Sequence, residues 1–149
     1  MPVRRRLLIL GGGGLAVFAL LQLVPYGWAK SNPPVTADAP WPSEQAEAIA
    51  RTSCYACHSN ETDWPLYSYV APMSWLVRND VDGGRDELNF SEWGEDSADA
   101  AEDAEEEIVE GRMPLPNYLR IHRDAQLTDE EAAVLIDALE QMSGSFDDR

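Results

Sequence analysis

The chain has 149 residues, with 27 acidic and 11 basic side chains and a formal net charge of -16 at pH 7. All 27 acidic residues and only seven basic ones follow Ala37, so that part of the chain has a formal charge near -20. Such a surface disfavours nucleic acid and anionic lipid as partners, and it would speed the encounter with a basic protein.

The first 30 residues have the pattern of a membrane signal. Three arginines at positions 4–6 precede the run Leu7–Val24, which is 18 residues long, uncharged and polar only at Gln22. A basic cluster stays in the cytoplasm, so the rest of the chain is expected on the outer, periplasmic side of the cytoplasmic membrane. The run is longer than a cleavable signal core of about 7 to 15 residues and shorter than a typical spanning helix of about 20. We favour an uncleaved, single-pass transmembrane helix within residues 1–29 over a removed signal peptide.

Residues 30–42 contain four prolines and few large apolar side chains, which is typical of a semi-extended linker. Residues 43–144 then have the size of one small domain without internal repeats. Helical patterns dominate this domain, so the predicted fold class is all-α. The last residues, 145–149, are predicted to be a disordered tail.

The motif Cys54-Tyr55-Ala56-Cys57-His58 follows directly on a helix that Ser43 can cap. Covalent attachment of a c-type haem requires two cysteines spaced by two residues and followed by histidine. Each thiol adds to a haem vinyl group, and the imidazole then ligates the iron. The chain has no other cysteine, so one covalent haem c is predicted, bound by Cys54, Cys57 and His58. Such attachment takes place outside the cytoplasmic membrane, in agreement with the N-terminal signal.

Two other uses of paired cysteines fit the sequence less well. A structural zinc site needs four nitrogen or sulfur ligands, and only the distant His122 could join the three residues of the motif. A thiol-disulfide redox pair normally starts a helix that follows a strand, whereas a helix precedes this pair.

Aromatic side chains are concentrated after the motif. The segment 59–75 is predicted to be a loop with short helical turns, and its flat rings could wall a porphyrin, with a cofactor-free aromatic core as the alternative. Arg78 and Arg85 are the nearest cations for haem propionates. The aromatic residues of this segment are Trp64, Tyr67, Tyr69 and Trp75.

Two further helices complete the predicted domain. The first opens at Ser91 or Ser97, ends before Gly111 and is strongly acidic, with small residues on its inner face. The last begins at a capping box formed by Thr128 and Glu131. Its apolar stripe consists of Ala132, Leu135, Ile136, Leu139 and Met142.

The iron ligand opposite His58 has to come from elsewhere in the chain. Met113 lies between the helix end at Gly111 and a proline, in a stiff loop rather than on the apolar helical stripe where core methionines usually lie. We therefore predict His58 and Met113 as the two iron ligands. The alternatives for the sixth position are His122, Met73 or an open site.

Taken together, these residues resemble a family of membrane-tethered bacterial haem-binding domains related to cytochrome c. The resemblance covers about residues 41–142 and implies one c-type haem and a mainly helical fold, but it names no substrate or partner. Three blocks carry it: Cys54 to Asn60 with Thr62, Trp64, Pro65, Tyr67, Ser68, Ala71, Pro72, Ser74 and Trp75; then Gly84, Arg85, Leu88, Asn89, Phe90, Ser91 and Trp93; and finally Gly111, Met113, Pro114, Tyr118, His122, Ala125, Leu127 and Glu131.

The function predicted from these features is that of a membrane-tethered single-electron carrier, not an enzyme. Iron ligated by His58 and Met113 would leave no open position, and no other catalytic group is evident. The expected partners are a redox protein, which the acidic charge predicts to be basic, and the membrane that holds the N-terminal helix. The alternatives are the haem subunit of a redox enzyme, a peroxidase-like protein and a ligand-sensing haem domain.

Overall fold

All the regular secondary structure of the described chain is helical. The structure, a computed structural model, describes residues 3–144; the predicted tail, residues 145–149, lies outside them. Within residues 3–144 there are six α-helices and two 3-10 helices, and no strand, which confirms the predicted all-α class. The α-helices are α1 Val3–Leu21, α2 Glu44–Ser53, α3 Tyr55–His58, α4 Met73–Glu87, α5 Glu95–Val109 and α6 Asp129–Gly144, and the 3-10 helices are Leu66–Tyr69 and Arg123–Ala125.

The chain divides into two compact units. The first unit consists of Met1–Ser31 and Trp64–Asp80, and the second unit of Asn32–Asp63 and Val81–Arg149. Helix α4 is therefore divided between them at Asp80.

In the first unit, the end of α1 and the chain after it pack against the segment 66–78. The Gln22 side-chain amide pairs with the backbone of Ala71, since Nε2 donates to the carbonyl at 3.1 Å and Oε1 accepts from the N–H at 2.9 Å. Gly27 has a φ of 86°, and a Cβ there would lie 2.7 Å from the Ser74 carbonyl oxygen. Only glycine combines that backbone conformation with such a close approach.

Among residues 3–144, no helix has the length and apolar character needed to cross a membrane. The transmembrane helix predicted within residues 1–29 stays a prediction.

The core of the second unit lies where α6 packs against α2 and α5. Helix α2 contributes Ala46 and Ala50, and the small Ala98 and Ala101 of α5 are buried as the sequence predicted. Leu135, Leu139 and Met142 of α6 are buried at 2 % exposure or less, which confirms most of the predicted stripe.

The predicted caps at two helix starts are confirmed. The Ser43 hydroxyl accepts from the Ala46 N–H at 3.1 Å. At the start of α6, the Glu131 N–H donates to the Thr128 hydroxyl at 3.2 Å, while the Glu131 carboxylate accepts from the Thr128 N–H at 2.9 Å. Helix α5 instead begins after Gly94, whose N–H donates to the Ser97 hydroxyl at 3.1 Å.

Most of the proline-rich segment predicted as a linker is part of the second unit. The Ala39 N–H donates to Phe90 O at 2.8 Å, and the Trp93 N–H donates to Ala37 O at 2.9 Å. Ala39 is buried in the core of the second unit. Backbone hydrogen bonds therefore hold part of this segment along residues 90–93, and its role as a linker stays a prediction.

Candidate functional site

The paired cysteines and the histidine lie at the junction of α2 and α3: Cys54 is the residue between the two helices, and Cys57 and His58 lie on α3. The Cys54 N–H donates to Ala50 O at 2.8 Å, and Cys54 O then accepts from the N–H groups of Cys57 and His58 at 3.1 and 3.0 Å. In this described part of the chain no disulfide joins the two thiols. The fold thus presents both thiols and the imidazole within about one helical turn.

The imidazole of His58 is oriented by the chain that follows α4. Its Nδ1 lies 3.0 Å from the carbonyl oxygen of Leu88. A carbonyl only accepts hydrogen bonds, so the ring proton belongs on Nδ1 and the lone pair is on Nε2. The His58 backbone is tied to the same segment, since its carbonyl accepts from the Phe90 N–H at 2.8 Å. His58 therefore has the tautomer and the fixed orientation that a metal ligand needs.

Burial shifts the pKa of two groups of the motif. It lowers the pKa of His58, against the opposing effect of the Leu88 and Gly84 carbonyls, and so favours the neutral imidazole. Burial, together with the neighbouring Cys57, raises the pKa of the Cys54 thiol to about 12. Cys54 is therefore a protonated thiol at neutral pH rather than a reactive thiolate.

Gly84 allows α4 to approach the motif closely. A Cβ at this position would lie 2.9 Å from the carbonyl oxygen of Cys57 and 3.0 Å from its Cβ. The preceding Gly83 has nothing within 4 Å of the corresponding position. The glycine at 84 is thus required by contact with the motif, whereas the glycine at 83 is not.

Arg85 fastens the loop that leaves the motif. Its Nε donates to Ser59 O at 2.7 Å, and its Nη2 donates to Thr62 Oγ1 and Asn32 Oδ1, each at 3.0 Å. The Thr62 hydroxyl in turn donates to Ala56 O within the motif at 3.0 Å. The arginine suggested by the sequence as a propionate partner is thus engaged in holding residues 56–62.

A buried asparagine completes this polar network. Asn60 is 2 % exposed, and its Nδ2 donates to Pro34 O at 3.1 Å and to Glu92 Oε1 at 2.7 Å. Its Oδ1 accepts from Asn89 Nδ2 at 3.0 Å, and its backbone N–H donates to the Ser91 hydroxyl at 3.0 Å. Because every polar group of the side chain is hydrogen-bonded, the network fixes the loop after the motif to the segments around residues 34 and 89–92.

The aromatic residues beside the motif differ from those that the sequence favoured. Phe90 is the centre of the cluster: its ring stacks on Tyr55 and Trp93, with centroids 5.4 and 6.2 Å away, and contacts Trp41 at 5.0 Å. The His58 ring lies 6.4 Å from the Phe90 ring. The four aromatic residues between positions 64 and 75 belong to the first unit, so their predicted role as walls of a porphyrin stays a prediction.

Met113 and His122 lie on the segments that follow α5. The Met113 side chain is half-buried, and its N–H donates to Glu107 O at 3.1 Å near the end of the helix. His122 stacks on Tyr118 with 4.2 Å between ring centroids, just before the second 3-10 helix, which packs against α2. The identity of the ligand opposite His58 stays a prediction.

The structure therefore brings together Cys54, Cys57 and His58. The sequence did not predict the roles of Gly84, Leu88 and Phe90. The adjacent glycines Gly83 and Gly84 were the signal that could have indicated the close approach of α4 to the motif.

Comparison with known proteins adds one match. A family model described as a haem-binding domain matches residues 16–141, which is most of the chain. Neither the curated proteins nor the solved structures gave a match.

Proposed function

Because the chain belongs to the haem-binding domain family, we propose that it is a cytochrome-like electron carrier with one covalently attached c-type haem. The observation that carries this proposal is the hydrogen bond of 3.0 Å between His58 Nδ1 and Leu88 O. It leaves an Nε2 lone pair on the residue that directly follows Cys57. When bound, a haem supplies a reversible one-electron iron couple.

The residues present fit such a group. The thiols of Cys54 and Cys57 would bind the two vinyl groups, and His58 would supply the imidazole for the iron. Leu88 holds the proton at Nδ1, and Gly84 lets α4 lie against Cys57. These contacts keep the ligand in one orientation, which a carrier needs in both oxidation states.

Covalent attachment is tested by denaturing the isolated protein in acid and extracting it with organic solvent. The haem should stay with the polypeptide, and the intact mass should exceed that of the chain by one haem. Cys54→Ala and Cys57→Ala should each leave at most one thioether bond. Haem that passes entirely into the solvent would refute covalent attachment, although it would leave haem binding by His58 intact.

We further propose that Met113 is the sixth ligand. A thioether opposite an imidazole favours the reduced iron and raises the reduction potential relative to two imidazoles, which suits an electron carrier. Met113→Ala should therefore lower the potential, abolish the weak ferric sulfur-to-iron absorption band and allow rapid carbon monoxide binding. His122→Ala is the matched control and should leave all three unchanged.

Two results would redirect this part of the proposal. If His122→Ala alters the spectrum and Met113→Ala does not, His122 is the ligand. If the reduced wild-type protein already binds carbon monoxide rapidly, the sixth position is open, and the redox-enzyme or sensing alternative replaces the carrier.

The proposal places the carrier on the outer side of the cytoplasmic membrane, tethered by the N-terminal segment. It is supported by the arginines at positions 4–6 and by the exposed apolar side chains of the rest of α1. Membrane fractionation and N-terminal sequencing of the mature protein test it. A mature protein that begins at Lys30 and is found free in the periplasm would refute the tether.

The proposed redox partner is a basic protein. Of the 27 acidic residues in the chain, 26 lie in the second unit, which holds the haem motif and has six basic residues. Opposite charges speed association, and salt screens them. Electron transfer to a basic acceptor should therefore slow as ionic strength rises, while transfer to an acidic acceptor should not.

A further inference from the structure

The two units carry opposite charges. The first unit holds a single acidic residue, Asp80, and its formal charge is +4, whereas the second unit has a formal charge of -20. The strong acidity of the whole chain is therefore a property of the second unit alone. The five basic residues of the first unit are Arg4, Arg5, Arg6, Lys30 and Arg78.

The first unit also exposes large apolar side chains beyond α1. Leu66, in the first 3-10 helix, is 88 % exposed, and the neighbouring Tyr69 is 59 % exposed. Val70 and Leu76 are exposed as well. Apolar side chains of this size grouped on one short segment mark an interaction surface rather than the ordinary scatter of single exposed residues.

This segment is fastened to the end of α1. Besides the Gln22 and Ala71 pair, Arg78 Nη1 donates to Ala29 O at 2.9 Å. Lys30 Nζ lies 5.3 Å from the centroid of the Trp64 ring and 5.4 Å from that of Tyr69. Apolar groups, amphipathic rings and cations are therefore combined where the apolar helix ends.

We propose that the segment 64–76 is a membrane-contacting surface, which lies in the lipid headgroup region beside the end of α1. Tyr and Trp prefer this depth, a side chain such as Leu66 enters the acyl boundary, and Lys and Arg pair with lipid phosphates. Because the proposed tether holds the arginines at positions 4–6 on the other side of the membrane, Lys30 and Arg78 are the basic residues of the first unit on this side, against the single acidic Asp80, whereas the acidic second unit is repelled by an anionic surface. The inference rests on the proposed tether and adds a second lipid contact to it.

A spin label at position 66 tests the contact in the full-length holoprotein. Leu66→Cys is labelled with a nitroxide and reconstituted in vesicles of phosphatidylcholine and phosphatidylglycerol. Val109→Cys is the matched control, because Val109 is also apolar and exposed, at 72 %, but belongs to the acidic second unit. Wild-type protein treated with the same reagent gives the contribution of Cys54 and Cys57.

The measurement is the collision of each label with oxygen, which concentrates in lipid, and with a water-soluble nickel chelate. We expect the ratio of oxygen to nickel accessibility to be several-fold higher at position 66 than at position 109. Equal ratios in protein that floats with the vesicles would overturn the lipid contact while the tether stands. If the label at position 66 is inaccessible to both oxygen and the nickel chelate in native membranes but not in vesicles, the surface contacts a protein partner, and the lipid contact is overturned.

Protein that fails to float with the vesicles would refute both the lipid contact and the tether. The haem spectrum of the same sample shows separately whether the haem part of the proposed function holds.

Discussion

Gly84→Ala is the most direct test of how α4 positions the haem motif. The added methyl group would lie 2.9 Å from Cys57 O and 3.0 Å from Cys57 Cβ, and neither of these is the flexible end of a side chain. The backbone of the motif or the axis of α4 must therefore shift. Such overpacking typically costs about 1 to 3 kcal/mol.

The neighbouring glycine provides the control. Both glycines lie inside α4, so replacing either by alanine should gain about 0.5 to 1 kcal/mol in helix propensity and unfolded-state entropy. At Gly83 nothing lies within 4 Å of the new methyl group, so only this gain should appear. The difference between the variants removes the propensity effect and leaves the packing cost, about 1 to 3 kcal/mol against Gly84→Ala.

Urea unfolding of the two holoproteins measures this difference. The reduction potential provides a second readout, because a shift of α4 would weaken the hydrogen bond between Leu88 O and His58 Nδ1. A weaker bond makes the imidazole a poorer donor to the iron, so the potential should rise in Gly84→Ala and not in Gly83→Ala. Equal free energies of unfolding in the two variants would refute the close approach deduced from the structure.

Three further predictions concern the second unit. Arg85→Lys should lower the free energy of unfolding by about 1 to 3 kcal/mol, because an ammonium group cannot reproduce the three hydrogen bonds of the guanidinium. Arg120 is exposed, so Arg120→Lys should change the free energy of unfolding by less than about 0.5 kcal/mol in the same urea assay. Equal losses of unfolding free energy in the two variants would contradict this role of Arg85. Asn60→Asp should lower the free energy of unfolding by about 3 to 5 kcal/mol at pH 7, because a buried carboxylate would face Glu92. This loss should become smaller as the pH is lowered, and a loss independent of pH would contradict the prediction. Hydrogen bonds from the backbone N–H and the hydroxyl of Thr128 hold the pKa of Glu131 below its ordinary value of 4.5. The stabilisation that Glu131 contributes is thus present above pH 4.5 and is lost as the pH falls through the lowered pKa. Glu131→Gln should therefore make the free energy of unfolding depend less steeply on pH in acid, as measured by unfolding at stepped pH.

Local sequence signals predicted the parts of the fold that local chemistry determines. Ser43 and the Thr128–Glu131 capping box mark helix starts because their side chains satisfy backbone N–H groups within the same turn. The stripe that contains Leu135 and Leu139 predicted a buried face because helical periodicity depends only on neighbouring residues. The haem motif was found for the same reason, since its three residues are adjacent in sequence.

Helix α4 was not predicted, because the contacts that stabilise it are made with residues distant in sequence. The two adjacent glycines Gly83 and Gly84 lower helix propensity by about 1 kcal/mol each, and no helix was predicted there. Tertiary contact overrides this cost, since Gly84 packs on Cys57 and Leu88 bonds to His58. Residues 36–39 provide a second case: the prolines at positions 33, 34, 40 and 42 around them predicted a semi-extended linker, whereas hydrogen bonds to residues 90–93, which are distant in sequence, could not be predicted from them.

The net charge of the whole chain is negative, which is the sign of the charge of the second unit but not of the first. Averaged over all residues after Ala37, a charge near -20 argues against anionic lipid as a partner. Divided between the units, the charge is positive where exposed apolar side chains lie and negative where the haem motif lies. Ionic strength should therefore act on two separate properties. Added salt should weaken the attraction of the first unit to anionic vesicles and should slow electron transfer from the second unit to a basic acceptor. Removing the anionic lipid should change the first property and leave the second unaffected, because the two depend on different residues.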